Sequence, residues 1–146
     1  MNAQLDLARE LASAEAVALT RRVATEARGL GLLALVQSSR VREIEGLVRA
    51  GDAEAAATLA EDVIANLDAC HPSDLYAAET WWVAYRALDA DPLRREAGRD
   101  ALRRGQAWVR EVAARNVPDE FRDSFLHRNA VNRALLAAGR EHRGGR

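Results

Sequence analysis

Apolar residues recur every three or four positions along nearly the whole chain, and short turn sequences divide this pattern into segments. Such spacing places apolar side chains on one face of an α-helix, so each segment is expected to form an amphipathic helix. Alanine and leucine supply most of the apolar residues, and proline occurs only 3 times. Because strong helix formers dominate and helix breakers are scarce, the sequence predicts an all-α protein.

The turn residues predict a stack of antiparallel helical hairpins within a single domain. A chain of 146 residues is of one-domain size and can bury a core without a disulfide or a metal. Each hairpin in such a stack buries its apolar face on its neighbours. The predicted units are a lone helix of an incomplete repeat at 1–29, a first hairpin at 32–69, a second hairpin at 75–115, a C-terminal cap at 118–141 and a frayed tail at 142–146.

Two turns with acidic caps define the hairpins. Gly51 is expected to end one helix and Asp52 to cap the next, while Asp91 caps a helix that starts at Pro92. The two turns are about 40 residues apart, which is within the usual range of helical-repeat periods. On the last long helix, Gly98 and Gly105 predict a closely packed neighbour.

The aromatic residues are concentrated in the second hairpin and the cap. Trp81 and Tyr85 lie four positions apart, so they share one face of a helix, and Leu93 is expected to point inward from the next helix. Trp82 points about 100° away from Trp81. Trp81 is therefore predicted to lie in the core. Two interpretations remain for Trp82, which are packing within the chain and anchoring a partner.

The distribution of charge limits the possible partners. The net charge of −1 argues against a dedicated nucleic-acid-binding domain, and nucleic acid is an unexpected partner for this segment. Residues 1–100 carry 11 Arg and 17 acidic residues, whereas residues 101–146 carry 10 Arg and 5 acidic residues. The acidic part and the basic end are expected to attract each other, within one copy or head to tail between copies.

Candidate partner-binding residues are Trp82, Arg86, Arg95 and Arg99. As a binding strip the arginines favour an acidic peptide, and as a solvated helix face they need no function. Self-association through the face of the N-terminal helix is a second expected interaction, because that helix has no preceding partner in the stack.

No cofactor or metal site is expected. The chain has a single cysteine, Cys70, which excludes an internal disulfide and fits a reducing compartment. Cys70 and His71 are adjacent and cannot easily share one ion, so a loop is the favoured interpretation. The first residues are polar and acidic rather than signal-like, and no apolar run could cross a bilayer. A cytoplasmic protein without membrane contact is expected.

One short segment invites a catalytic interpretation. Asp123 and His127 lie four positions apart, with Ser124 between them, and a pocket near these residues and Tyr85 would suit a small helical enzyme or a ligand-binding bundle. A catalytic triad usually draws on separate elements and an oxyanion site, so local packing is favoured. The residues assigned to a structural cap are Pro118, Phe121, Asp123, Phe125, His127, Asn129 and Asn132.

Parts of the sequence resemble known families. The spacing of Trp81, Ala84, Tyr85 and Leu88, together with the turn at residues 51–52, resembles a divergent tetratricopeptide repeat. The stretch from Trp108 through Val117-Pro118-Asp119-Glu120-Phe121 to Leu136 looks like the C-terminal tail of large bacterial regulators. In those proteins an ATP-binding signalling module precedes a tetratricopeptide array.

The resemblance implies a non-enzymatic protein–protein interaction module at the C-terminal end of a bacterial signalling or transcription regulator. The ATPase function of that family cannot be assigned to any residue, because no nucleotide-binding motif is present in this chain. Where the family's tails often have proline between two asparagines, this sequence has Ala130 between Asn129 and Val131-Asn132.

Overall fold

The computed structural model describes residues 13–67 and 76–141, which are helical nearly throughout and contain no strand. The α-helices of the described ranges are α1 (Ser13–Gly29), α2 (Leu33–Ala50), α3 (Ala53–Ala65), α4 (Ala77–Ala90), α5 (Arg95–Arg115), α6 (Asp119–His127) and α7 (Ala130–Glu141). The predicted all-α class is confirmed. No helix in these ranges combines the length and the apolar character needed to cross a bilayer.

The turn between α2 and α3 forms as its two residue types predict. Gly51 has a φ of 80°, and the N–H groups of Gly51 and Asp52 donate to the carbonyl oxygens of Val48 and Leu47 at 3.1 and 3.0 Å. Glycine adopts this left-handed conformation at little cost, and the two hydrogen bonds satisfy carbonyls at the helix end. The carboxylate of Asp52 then accepts a hydrogen bond from Ala55 N at 3.2 Å, which caps α3.

The turn between α4 and α5 differs from its prediction in one respect. A short 3-10 helix, Pro92–Arg94, precedes α5, and Leu93 is 93% exposed, so its predicted inward position is wrong. A 3-10 helix has three residues per turn, so the apolar face of α5 does not continue back through this segment. Asp91 is buried, and its carboxylate accepts hydrogen bonds from Leu93 N and from the Arg94 guanidinium.

These bonds at the α4–α5 turn affect the titration of Asp91. The backbone hydrogen bond from Leu93, followed by the bond from Arg94, lowers the pKa of this carboxyl below its ordinary value. A carboxyl whose pKa is lower in the folded state stabilises the fold at neutral pH. That contribution is lost as the pH falls through the folded-state pKa.

Consecutive helices pack against each other along the chain. From α1 to α5 each helix contacts the next, and α2 also contacts α4. Ion pairs join neighbouring helices at their surfaces: Arg21 bonds to Glu43 between α1 and α2 at 2.6 Å, and Arg40 bonds to Asp62 between α2 and α3. At the C-terminal end, α6 contacts α5 and α7, and α7 returns to pack on α4 and α5.

Two glycines allow α4 and α5 to approach closely. A Cβ atom added at Gly98 would lie 3.1 Å from the backbone nitrogen of Asp89, and one added at Gly105 would lie 2.7 Å from Cβ of Trp81. The predicted close neighbour is thus α4. Trp81 is 5% exposed, and the guanidinium of Arg104 lies 4.4 Å from the centroid of its ring.

Buried hydrogen bonds hold the C-terminal helices on α4. Asn129 caps α7, since its side-chain oxygen accepts from the backbone N–H groups of Val131 and Asn132, both at 3.1 Å. The Asn132 side chain is fully buried; its amide nitrogen donates to Phe125 O at 2.8 Å, and its oxygen accepts from the hydroxyl of Tyr76 at 2.5 Å. One side chain of α7 therefore bonds both to α6 and to the residue that precedes α4.

The two phenylalanines of α6 have different environments. Phe125 and Leu126 pack against the core, whereas Phe121, which the sequence assigned to the structural cap, is 58% exposed. The reason is that α6 meets the core through its C-terminal half, next to Asn132, and Phe121 lies in the first turn.

We expect the substitution Asn132→Ala to lower the free energy of unfolding by about 1–3 kcal/mol, because the buried carbonyl of Phe125 loses its donor. Chemical denaturation followed by circular dichroism would measure the change. Asn116→Ala is the matched control, since Asn116 is exposed at the end of α5. Equal stabilities of the two variants would contradict the structural role of Asn132.

Candidate protein-interaction surface

The helices α2 and α4 run side by side in the same direction, because α3 returns the chain between them. Their register is set by Arg42, whose guanidinium bonds to Glu79 on α4 at 2.8 Å and to Glu45 on its own helix at 2.9 Å. Burial alone would lower the pKa of Arg42, but the hydrogen bonds and charges of Glu45 and Glu79 outweigh it and raise that pKa.

Seven residues beyond this ion pair, both helices carry arginine. Arg49 follows Arg42, and Arg86 follows Glu79, by the same two turns. A cleft of about 290 Å³ opens at this level. Its lining residues, which we call the arginine cleft, are Glu45, Val48, Arg49, Val83 and Arg86.

The arginine cleft has an unbalanced positive charge. Arg49 and Arg86 are both exposed, and neither forms an ion pair within the described ranges. Among the described residues that line the cleft, the only acid is Glu45, and it is bound to Arg42. Two unpaired guanidinium groups beside one cleft repel each other, and an anionic group placed between them would relieve that repulsion. The valines supply an apolar wall next to the charges.

The structure places Trp82 at the margin of the hydrophobic core, against which it packs. It is half-buried, and its ring lies 5.7 Å from that of Tyr85 at an interplanar angle of 41°. Part of the Trp82 side chain is therefore exposed to solvent. Trp82 does not line the arginine cleft.

The other candidate arginines lie on a different helix. Arg95 and Arg99 are exposed in the first turns of α5 and do not line the arginine cleft. Their neighbour Arg94 is engaged in the fold, where it pairs with Asp91 and Glu61. The arginine cleft therefore contains Arg86 and Arg49, and Arg49 was not among the predicted partner-binding residues. Arg95 and Arg99, which were predicted, do not line it.

Arg49 could have been found from the sequence by one comparison. The separation of Arg49 from Arg86 equals that of Arg42 from Glu79. Once one contact sets the register of two parallel helices, residues with the same separation are neighbours. The contact itself, however, depends on the tertiary fold.

The residues of the catalytic interpretation are not assembled. Tyr85 is buried on α4, whereas Asp123 and His127 are exposed on α6, which contacts chiefly α5 and α7. Asp123 and His127 form neither a hydrogen bond nor an ion pair with each other, although their spacing would allow one. Pro118 is the residue that immediately precedes α6.

The predicted loop around Cys70 and His71 lies outside the described residues. In residues 13–67 and 76–141, no group of three or more His, Cys, Asp or Glu side chains is placed to hold a metal ion. Residues 1–12, which include the predicted start of the first helix, and the predicted frayed tail at 142–146 are likewise outside the described ranges.

No protein-family model, no curated protein and no solved structure matches the sequence. The feature of the described residues that points to a function is the exposed pair Arg49 and Arg86 in the arginine cleft.

Proposed function

We propose that this chain is a non-enzymatic protein-interaction module that binds an acidic segment of a partner protein in the arginine cleft. The single observation that carries the proposal is the pair of guanidinium groups of Arg49 and Arg86, which line one cleft and form no ion pair with an acid of residues 13–67 or 76–141. Arginine forms bidentate, charge-assisted hydrogen bonds with carboxylates, so a glutamate or aspartate side chain is the matching ligand.

The surroundings of the two arginines support a peptide rather than a free ion as ligand. Val48 and Val83 add an apolar wall, which suits the aliphatic part of a peptide side chain. The half-buried Trp82 lies four positions before Arg86 on α4, so the two side chains share one side of that helix. Apolar contacts and paired charges together are typical of protein-recognition sites.

The arrangement of α2, α3, α4 and α5 supports a repeat-like stack as part of the proposal. The helices α2 and α4 lie side by side, and each pair of consecutive helices from α2 to α5 packs together. Stacked hairpins of this kind present extended surfaces to partners. Together with the sequence resemblance, this supports a tetratricopeptide-like module of a bacterial signalling or transcription regulator.

The test is binding of a fluorescently labelled decapeptide of glutamate and leucine, compared with the same peptide carrying glutamine in place of glutamate. We expect the chain to bind the acidic peptide and not the glutamine peptide. Arg49→Ala and Arg86→Ala should each weaken binding about tenfold or more, since a hydrogen bond to a charged group contributes about 1.5–3 kcal/mol. Fluorescence anisotropy at low salt would measure the affinities.

Arg110→Ala is the matched control, because Arg110 is exposed on α5 and lies outside the arginine cleft. It should bind the acidic peptide as the wild-type chain does. Equal binding of the two peptides would contradict the proposal, and so would an Arg110→Ala variant that loses as much affinity as Arg49→Ala.

A further inference from the structure

Glu45 lines the arginine cleft together with Arg49 and Arg86, although its charge is opposite to theirs. It precedes Arg49 by four positions on α2, so the two side chains lie on one face of that helix. An acidic residue followed by a basic residue four positions later is the order that favours an ion pair along a helix. Glu45 is therefore placed to bind Arg49 and to occupy the position of an acidic ligand.

The structure does not contain the pair of Glu45 with Arg49. The Glu45 carboxylate bonds instead to Nη1 of Arg42 at 2.9 Å, while Nη2 of the same guanidinium bonds to Glu79 on α4 at 2.8 Å. Within residues 13–67 and 76–141, Arg49 forms no ion pair. Arg42 therefore binds the acid that Arg49 would otherwise attract.

Arg42 has an advantage over Arg49 in the competition for Glu45. Its side chain is only 14% exposed, whereas Arg49 is an exposed residue. Partly buried charges are screened much less than exposed ones, so the ion pair with Arg42 is the stronger of the two. A partly buried guanidinium without an acid would also lose its compensation for burial. Glu45 therefore stays with Arg42, and the Arg49 guanidinium remains open to solvent.

We propose that Arg42 is a positioning residue of the arginine cleft, because it retains Glu45 and so leaves Arg49 available to the acidic segment of a partner. When Arg42 does not hold it, Glu45 turns to Arg49 and competes with the partner as an internal inhibitor. This inference rests on the binding function proposed above, and it identifies what keeps the arginine cleft open.

Arg42→Gln tests the inference, although Arg42 does not itself line the arginine cleft. Its affinity for the glutamate–leucine decapeptide should fall about fivefold or more, because Glu45 then pairs with Arg49 and adds a negative charge beside the peptide. The double variant Arg42→Gln/Glu45→Gln should bind with nearly the wild-type affinity, since it has no carboxylate at position 45 to compete. Fluorescence anisotropy would measure both affinities.

Glu79→Gln is the matched control, because it removes the charged partner on α4 and leaves the pair of Arg42 with Glu45 in place. It should bind the decapeptide as the wild-type chain does. If Arg42 acted only by setting the register of α2 and α4, Glu79→Gln would weaken binding as much as Arg42→Gln, and Glu45→Gln would restore nothing. Either of these results would overturn the inference.

Arg42→Lys extends the test to a variant that keeps the positive charge between the two acids, in case glutamine at this position prevents folding. Its single ammonium group lacks the fork with which the guanidinium fixes two carboxylates, so Glu45 is held less firmly. The affinity should fall less than in Arg42→Gln and should again recover when Glu45→Gln is added. An affinity that does not recover would contradict the role of Glu45.

The pair of Glu45 with Arg49 can also be detected without a ligand, by the Nε–Hε signal of Arg49 in nuclear magnetic resonance spectra. Glu45→Gln should change this signal little in the wild-type background. Arg42→Gln should move the signal, and the added Glu45→Gln should return it. A signal that does not respond to Glu45 in the Arg42→Gln background would overturn the inference, whatever the chain binds. A wild-type chain that shows the expected shifts but binds no acidic peptide would contradict the proposed ligand and still support the role of Arg42.

Discussion

Replacing Trp81 with alanine should lower the free energy of unfolding by about 3–5 kcal/mol, the cost of removing a large aromatic side chain from a packed core. Trp81 is 5% exposed, its Cβ fills the space left by Gly105, and the guanidinium of Arg104 lies over its ring. Alanine would leave a cavity at the centre of the α4–α5 contact. Urea denaturation followed by far-ultraviolet circular dichroism would measure the loss.

Trp82→Ala is the natural comparison, because it removes the same side chain one position along α4. Trp82 is only partly buried against the core, so its replacement should cost clearly less stability than that of Trp81. If the two variants unfold at the same urea concentration, the assignment of Trp81 to the core and Trp82 to the surface is wrong.

Gly105→Val should destabilise the fold by about 3 kcal/mol, near the upper end of the range for overpacking. The new Cβ would lie 2.7 Å from Cβ of Trp81 and 3.1 Å from Cδ2 of Leu135, so α5 would have to move away from α4 and α7. The displacement would also affect the C-terminal helices, because Gln106 donates a hydrogen bond to Leu135 O at 2.8 Å. Thermal and urea unfolding would both report the change.

Gly29→Val controls for the intrinsic effect of valine in a helix. Gly29 ends α1, has an ordinary backbone conformation and would have no heavy atom within 4 Å of an added Cβ. Only the small difference in helix propensity should appear at this position. A Gly105→Val variant as stable as Gly29→Val would show that α4 and α5 are not in close contact.

The sequence predicts those parts of the fold that depend on local chemistry. The Gly51-Asp52 turn requires one residue that tolerates a left-handed conformation and one that caps a helix, and both requirements can be read from residue type. The helical periodicity is likewise local. Gly98 and Gly105 indicate close packing, but the sequence does not identify the helix that packs against them.

The incorrect expectations concern residues whose environment is set by other helices. Leu93 was expected to point inward but lies in a 3-10 segment, and Phe121, assigned to the structural cap, is exposed in the first turn of α6. Arg49 was missed for the same reason, since only the contact between α2 and α4 makes it the neighbour of Arg86. The residue type indicates whether a side chain favours burial or a charged partner. The packing of the neighbouring helices determines whether the side chain is buried and which residues it contacts.

The hydrogen bond between Tyr76 and Asn132 closes a longer loop than the ion pairs between consecutive helices. It joins residues 56 apart, whereas Arg21 and Glu43 are separated by 22. Loop-closure entropy grows with the logarithm of loop length, so the longer closure costs about 0.8 kcal/mol more at 25 °C. Contacts between consecutive helices therefore close at a smaller entropic cost than the contact that holds α7. The two hydrogen bonds of the fully buried Asn132 side chain contribute toward that entropic cost.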